Sequence, residues 1–156
     1  MRRLSPRPLL LVVAALATSA GCDTASDPAD DVTCASIGVA EAGTVVATTP
    51  AGGFETACVD VTSDGGLLVA IAREPGSGSL GGETIELYVS GTEPGTYVFG
   101  GDGATGASYG RSPETTAVAR EGSVTVTSFA GGAEGTFSFV TTTGDEVAGG
   151  RFDLDF

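Results

Sequence analysis

The sequence predicts an all-β fold, an antiparallel β-sandwich or a small soluble β-barrel of about eight or nine strands. Three observations carry that prediction. Short segments alternate apolar and polar side chains, the period of a half-buried strand. Glycine-containing turn signals separate them: "SDGG", "EPGSGSLGGE", "TEPG", "GGDGATG", "AGGAEG" and "TTGDE". Past residue 22 no stretch combines a sustained 3.6-residue apolar period with helix caps, and only "CASIGVAEAG" (34–43) reads as a possible short helix.

The strands follow in chain order. "TVVATT" (44–49) and "ETACVDVT" (55–62) are rich in β-branched residues. "GLLVAIAR" (66–73) is apolar on both faces and reads as a more central strand. "ETIELYVS" (83–90) sets Ile85, Leu87 and Val89 against Glu86 and Tyr88. "GTYVFG" (95–100) and "TTAVAR" (115–120) come next. "GSVTVTSF" (122–129) turns Val124 and Val126 inward, and "GTFSFVT" (135–141) places Phe137 and Phe139 together. "GRFDLDF" (150–156) places Phe152, Leu154 and Phe156 on one face, against Asp153 and Asp155.

The N-terminus is of another kind. Residues 1–21 read as a lipoprotein signal peptide: Arg2, Arg3 and Arg7 precede the apolar run "LLLVVAALATSA" (9–20), which is shorter than the roughly 20 residues of a membrane span. "SAGC" (19–22) resembles a lipobox, with Ala20 and Gly21 as the usual small residues and Ser19 where leucine is commonest. Cys22 is therefore the expected lipidation site, and an ordinary signal-peptidase cut after Ala20 is the alternative. Residues 22–31, with the acidic "DTASDPADD", read as a flexible tether, because they carry no bulky apolar side chain to offset the entropy of ordering. Residues 32–156 then form a single all-β domain.

Three cysteines stand at 22, 34 and 58. Lipid on Cys22 leaves Cys34 and Cys58 as a pair in an oxidising compartment, where a disulfide closing a loop of roughly 25 residues contributes about 3 kcal/mol in the chain-entropy model. The chain has no histidine and no Cys-x-x-Cys, so no metal site, no cofactor and no Ser-His-Asp or Cys-His machinery is expected. Beyond Cys22 four arginines face 20 acidic residues, a balance of −16. That charge argues against nucleic acid, whose phosphates need a basic face, and against anionic headgroups held by a basic patch.

Gly95–Thr96–Tyr97, then Gly122 to Thr127, Gly135 to Phe139 and Gly150 to Phe152, taken in that order, resemble an uncharacterised all-β domain family of Bacteroidota-type lipoproteins, over about residues 83–156. The resemblance implies an all-β lipoprotein domain and brings no catalytic residues with it.

The expected function is that of a lipid-anchored cell-envelope lipoprotein, in the outer membrane, with a binding or structural β-domain. Its partners are the membrane, through lipid on Cys22, and an envelope protein or glycan. No catalytic residue is identified and the chain is not expected to be an enzyme. Three alternatives stand beside this reading. One is a carbohydrate-active hydrolase using a carboxylate pair. Another is a calcium-binding module on the Gly- and Asp-containing stretches 100–110 and 142–146. The third is an integral outer-membrane barrel ending on Phe156, against which the short strands and sparse aromatics argue. Tyr97, Tyr109 and Arg111 are the first loop-side residues to examine for recognition.

Overall fold

The computed structural model describes residues 33–75, 82–100, 104–112 and 115–156. The signal segment, Cys22 and the tether lie outside the described residues, as does part of the 100–110 stretch. Ten strands run in sequence: β1 (Gly43–Thr49), β2 (Gly52–Thr56), β3 (Val59–Asp64), β4 (Leu67–Arg73), β5 (Thr84–Ser90), β6 (Gly95–Val98), β7 (Gly106–Gly110), β8 (Thr116–Ser128), β9 (Gly132–Thr141) and β10 (Glu146–Asp155). They form one antiparallel sheet in the order β2-β1-β10-β9-β8-β7-β5-β4-β3, with β6 beside β8. The sheet curls into a nearly closed barrel.

β8 makes the curl possible. Its first residues pair with β7 and its residues 123–126 pair with β6 on the same edge, while β9 runs along the other edge. Register shifts at Ala119/Glu121 and Val126/Ser128 bend it between these two neighbourhoods.

The seam lies between the two terminal strands, β2 and β3, which the chain joins through Ala57 and Cys58. The segment leading into β1 spans it. Val59 N–H donates to the Ala40 carbonyl (2.9 Å) and Ala42 N–H donates to the Val59 carbonyl (3.1 Å). A 3-10 turn, Cys34–Ile37, starts on the Thr33 side chain and ends at Gly38 in the left-handed region. The sulfurs of Cys34 and Cys58 lie at disulfide distance, with their Cα atoms 5.0 Å apart. Cys34, Cys58, Val39 and Ile37 form a small apolar cluster of their own at this corner.

The main core fills the barrel, with Ile85, Leu87, Val89, Val124, Val126, Phe137, Phe139, Phe152 and Leu154 all inward. The aromatic rings form a chain: Phe152 stacks on Phe137 (6.4 Å), Phe137 on Phe139 (6.2 Å), and Phe139 meets Phe99 edge-on (6.0 Å). Two glycines make room for them. Gly150 sits opposite Phe137 and Gly135 opposite Phe152 in the β9–β10 ladder. A Cβ on Gly150 would come within 2.5 Å of the Phe137 ring, and one on Gly135 would overlap the Phe152 ring. The motifs "GTFSF" and "GGRFDL" are therefore one device, each ring covering the bare backbone of the other strand.

The structure departs from the sequence-based expectation at several places. The all-β antiparallel barrel is as expected, with ten strands among the described residues beside the eight or nine read from sequence. "ETACVDVT" is split by the corner at Ala57–Cys58 into the end of β2 and the start of β3, while "TTAVAR" and "GSVTVTSF" merge into β8. β7 replaces what reads as turn and loop. The possible helix at 34–43 shrinks to one 3-10 turn, because the segment gives its next hydrogen bonds to β3. Phe156 is 51% exposed; it lies past the end of β10 and rests against Phe129 (5.8 Å).

Gly135→Ala and Gly150→Ala should each destabilise by about 1–3 kcal/mol through overpacking, and Phe137→Ala or Phe152→Ala by about 3–5 kcal/mol. Gly53→Ala, where a Cβ meets open space, should be near neutral. Urea unfolding compares the set, and equal midpoints for Gly53→Ala and Gly135→Ala would refute the interlock.

Cys34→Ser and Cys58→Ser should each lower stability by about 3 kcal/mol, and the double variant by little more than either. That non-additivity marks a shared bond; thermal melts giving additive losses would exclude it.

Candidate functional site

Two polar regions stand out, one at a barrel end and one on the outer wall. The end is built from the β1–β2 hairpin, the β9–β10 turn and the neighbouring ends of β5 and β7. Tyr109, on β7, is 1% exposed and its hydroxyl donates to the Glu83 carboxylate. Thr49 Oγ1 donates to the same carboxylate (2.9 Å). Burial pushes the Tyr109 phenol up first, the hydrogen bond to Glu83 adds to this, and Thr49 and Arg111 oppose it. Nearby, burial also raises the Glu74 carboxyl, against the lowering effect of the Glu55 N–H bonded to it (3.3 Å).

Arg111 is exposed and donates to Asp145 Oδ1 (3.0 Å). Asp145 also accepts from Thr143 Oγ1 (2.7 Å), and its N–H donates to Thr141 Oγ1 (3.0 Å). The stretch 142–146 is thus a turn closed by its own hydrogen bonds. Among the described residues no three His, Cys, Asp or Glu side chains gather in a metal-holding group. Tyr97 is likewise occupied structurally. Its hydroxyl donates to the Glu93 carbonyl (2.7 Å) and its ring covers Gly91, where a Cβ would stand 2.6 Å from the hydroxyl oxygen. Of the three residues singled out in the sequence, Tyr97 and Tyr109 brace the fold and Arg111 is held in an ion pair.

The outer wall is different. On the far side of the phenylalanine ladder, the outward positions of β6, β8, β9, β10, β1 and β2 line up in one row: Thr96, Thr125, Thr136, Arg151, Val46 and Glu55. Thr96 and Thr125 hydroxyls are 2.9 Å apart. Two adjoining concavities, of about 370 and 310 Å³, share Thr136 and Arg151. One continues toward Thr44, Thr127, Glu134 and Asp153, the other toward Ser123 and Ser138. Together they make a trough along β9 and β10 about 13 Å long, at ~3.4 Å per residue. Arg151 makes no ion pair among the described residues, whereas Arg111 and Arg120 are each paired. Glu134 and Asp153 are direct cross-strand partners at one end.

The trough residues were not singled out from sequence. The signal was present in the alternation: "SVTVTS" and "TFSF" place hydroxyls at outward positions between apolar ones, and "GRFDL" places Arg151 beside them.

A family model, that of a domain of unknown function (DUF6252), matches residues 56–152. The match begins well before the region of resemblance read from sequence. No curated protein and no solved structure matches the chain.

The burial of Tyr109, and then its hydrogen bond to Glu83, sets an alkaline limit. The folded phenol titrates above its unfolded value, so its stabilisation is complete below about pH 10 and is lost as pH rises through the higher folded value. Tyr109→Phe should cost about 1–3 kcal/mol near neutral pH and flatten the loss of stability above pH 10. Denaturation at stepped pH checks both, and an unchanged alkaline slope would contradict the assignment.

Proposed function

The chain belongs to the DUF6252 domain family; we propose that it is a lipid-anchored cell-envelope lipoprotein of the Bacteroidota type whose barrel binds a partner rather than catalysing a reaction. The observation that carries the binding reading is the outer trough. It is concave, set with hydroxyls between apolar stretches, and centred on Arg151, whose guanidinium has no ion-pair partner among the described residues, a combination that can orient a polar ligand without reacting with it. Glu83 has its oxygens engaged by Tyr109 and Thr49, and Glu86 accepts from Tyr88 and Ser108, so both are poorly placed to move protons for a substrate. The N-terminal reading supports the anchor: "SAGC" offers Cys22 to a lipoprotein peptidase, and the acidic stretch after it suits a tether. Two or three acyl chains hold such a protein stably, since each buried CH₂ contributes about 0.8 kcal/mol.

A hydrolase is the second reading, favoured by one observation. Glu134 and Asp153 face each other across the β9–β10 ladder, which sets their Cβ atoms about 5 Å apart. Both project from the same side of one sheet, however, and a glycosidic bond must be flanked by its two carboxyls.

Cys22→Ser should block maturation or release the domain from membranes with its fold intact, and mass spectrometry of the mature N-terminus should find a diacylated Cys22. A peptide beginning at Gly21 with unmodified Cys22 would establish ordinary secretion. Full-length protein in detergent, immobilised and exposed to envelope extract, should retain a defined component. Release of new reducing ends from envelope polysaccharide, abolished by Glu134→Gln, would favour the hydrolase instead.

A further inference from the structure

We infer that the outer trough is a glycan-binding site for an oligosaccharide that is mostly neutral and carries one carboxylate, which Arg151 receives; this rests on the binding-module reading. The backbone limits the choice of ligand first. β9 is paired on both edges, with β8 and β10, and β10 is paired on both, with β9 and β1. Apart from the bulge at Ala148–Gly149, the main chain of the trough floor is already paired on both edges, so no free strand edge is offered to an extended peptide and strand addition is unavailable there.

What the floor and walls offer is side-chain hydroxyl. Thr136, Ser123 and Ser138 each bring one donor and two acceptor lone pairs that rotate to suit a partner, and Thr125 brings what its bond to Thr96 leaves. Sugar hydroxyls have the same dual character, and a trough of this length suits a short oligosaccharide.

Charge narrows the ligand further. Arg151 stands at the point the two concavities share, exposed and without an ion-pair partner among the described residues, in a chain with a large excess of acids. Its planar guanidinium takes a carboxylate in two parallel hydrogen bonds. Glu134 and Asp153 close one end of the trough with two negative charges. A polyanion laid along the full length would meet them, whereas a ligand with a single acid at the centre and neutral sugars on either side would not. One uronic acid within a neutral stretch satisfies the cation, the hydroxyls and the acidic end together.

The test is a glycan array of mono-uronate oligosaccharides on several neutral backbones, each beside its carboxyl-reduced twin. Full-length protein in detergent is applied as wild type, Arg151→Gln, and Arg120→Gln as a charge-matched control outside the trough. At least one mono-uronate should bind tenfold or more tightly than its twin. Arg151→Gln should remove that preference, Arg120→Gln should keep it, and rising salt should weaken it. Equal binding of both twins, or a preference indifferent to Arg151→Gln, overturns the inference and leaves the binding module standing. The same holds if nothing on the array binds while envelope extract still yields a retained component, a protein included. Failure of both array and extract would bring down the underlying reading as well.

Discussion

Two phenylalanine rings lying over two bare glycines are the constraint on which the rest of the barrel depends. Phe152 takes the space a side chain at Gly135 would fill, and Phe137 does the same at Gly150. Each exchange turns a weak strand position into a packed one, because glycine alone contributes no side chain to a sheet. The same rings continue the stack to Phe139 and Phe99, and so tie β9 and β10 to the turn after β6. A bulge between Val147 and Gly150 sets the register in which the interlock works.

The interlock also decides what the outside of the barrel looks like. Side chains alternate along a strand, so fixing Phe137, Phe139, Phe152 and Leu154 inward fixes Thr136, Ser138, Arg151 and Asp153 outward. With most phenylalanines consumed by the core, and Tyr97 and Tyr109 holding a loop and a barrel end, the most exposed aromatics among the described residues are Tyr88 on β5 and Phe156, neither of which lines the trough. On the proposed reading, the trough instead uses hydroxyls and the Arg151 guanidinium, beside the Glu134 and Asp153 carboxylates. An affinity built that way is modest per contact and leans on orientation and charge, which suits a surface facing abundant polymer rather than a scarce small molecule.

Much of the fold was legible because strands with one wet face state their orientation residue by residue. Ile85, Leu87 and Val89, Val124 and Val126, and the β9 and β10 phenylalanines all face as their alternation requires. β7 was not legible for a physical reason. "GASYG" is short and glycine-flanked, and Ala107, Ser108 and Tyr109 are all buried, so no alternation survives in it. Phe156 continued the pattern of β10 in sequence but lies beyond its last ladder pair, half exposed against Phe129 rather than in the core. The polar network at the barrel end was out of reach for another reason: Tyr109 and Glu83 stand 26 residues apart, and their meeting follows from the β5–β7 register alone. The trough lies between these cases. Its residue types were readable as outward polar positions, but that Thr125, Thr136 and Arg151 share one row depends on registers set by turns and bulges.

The seam of the barrel bears on how such a domain tolerates being held. In a protein anchored through its N-terminus, as proposed, load enters the described domain at Thr33 and meets Cys34 one residue later. If the sulfurs at disulfide distance are bonded, the load then passes to Cys58 and divides between β2 and β3, the two strands on either side of the seam. It does so before reaching the hydrogen bonds of residues 40 and 42 with Val59, which taken alone would open one after another from the free end. A barrel whose weakest line is its seam is best held there by a covalent link, and the placement of Cys34 at the first turn achieves this with a single bond. The cluster of Ile37, Val39 and the two cysteines needs no other role to explain it: it shields that bond and the seam from water.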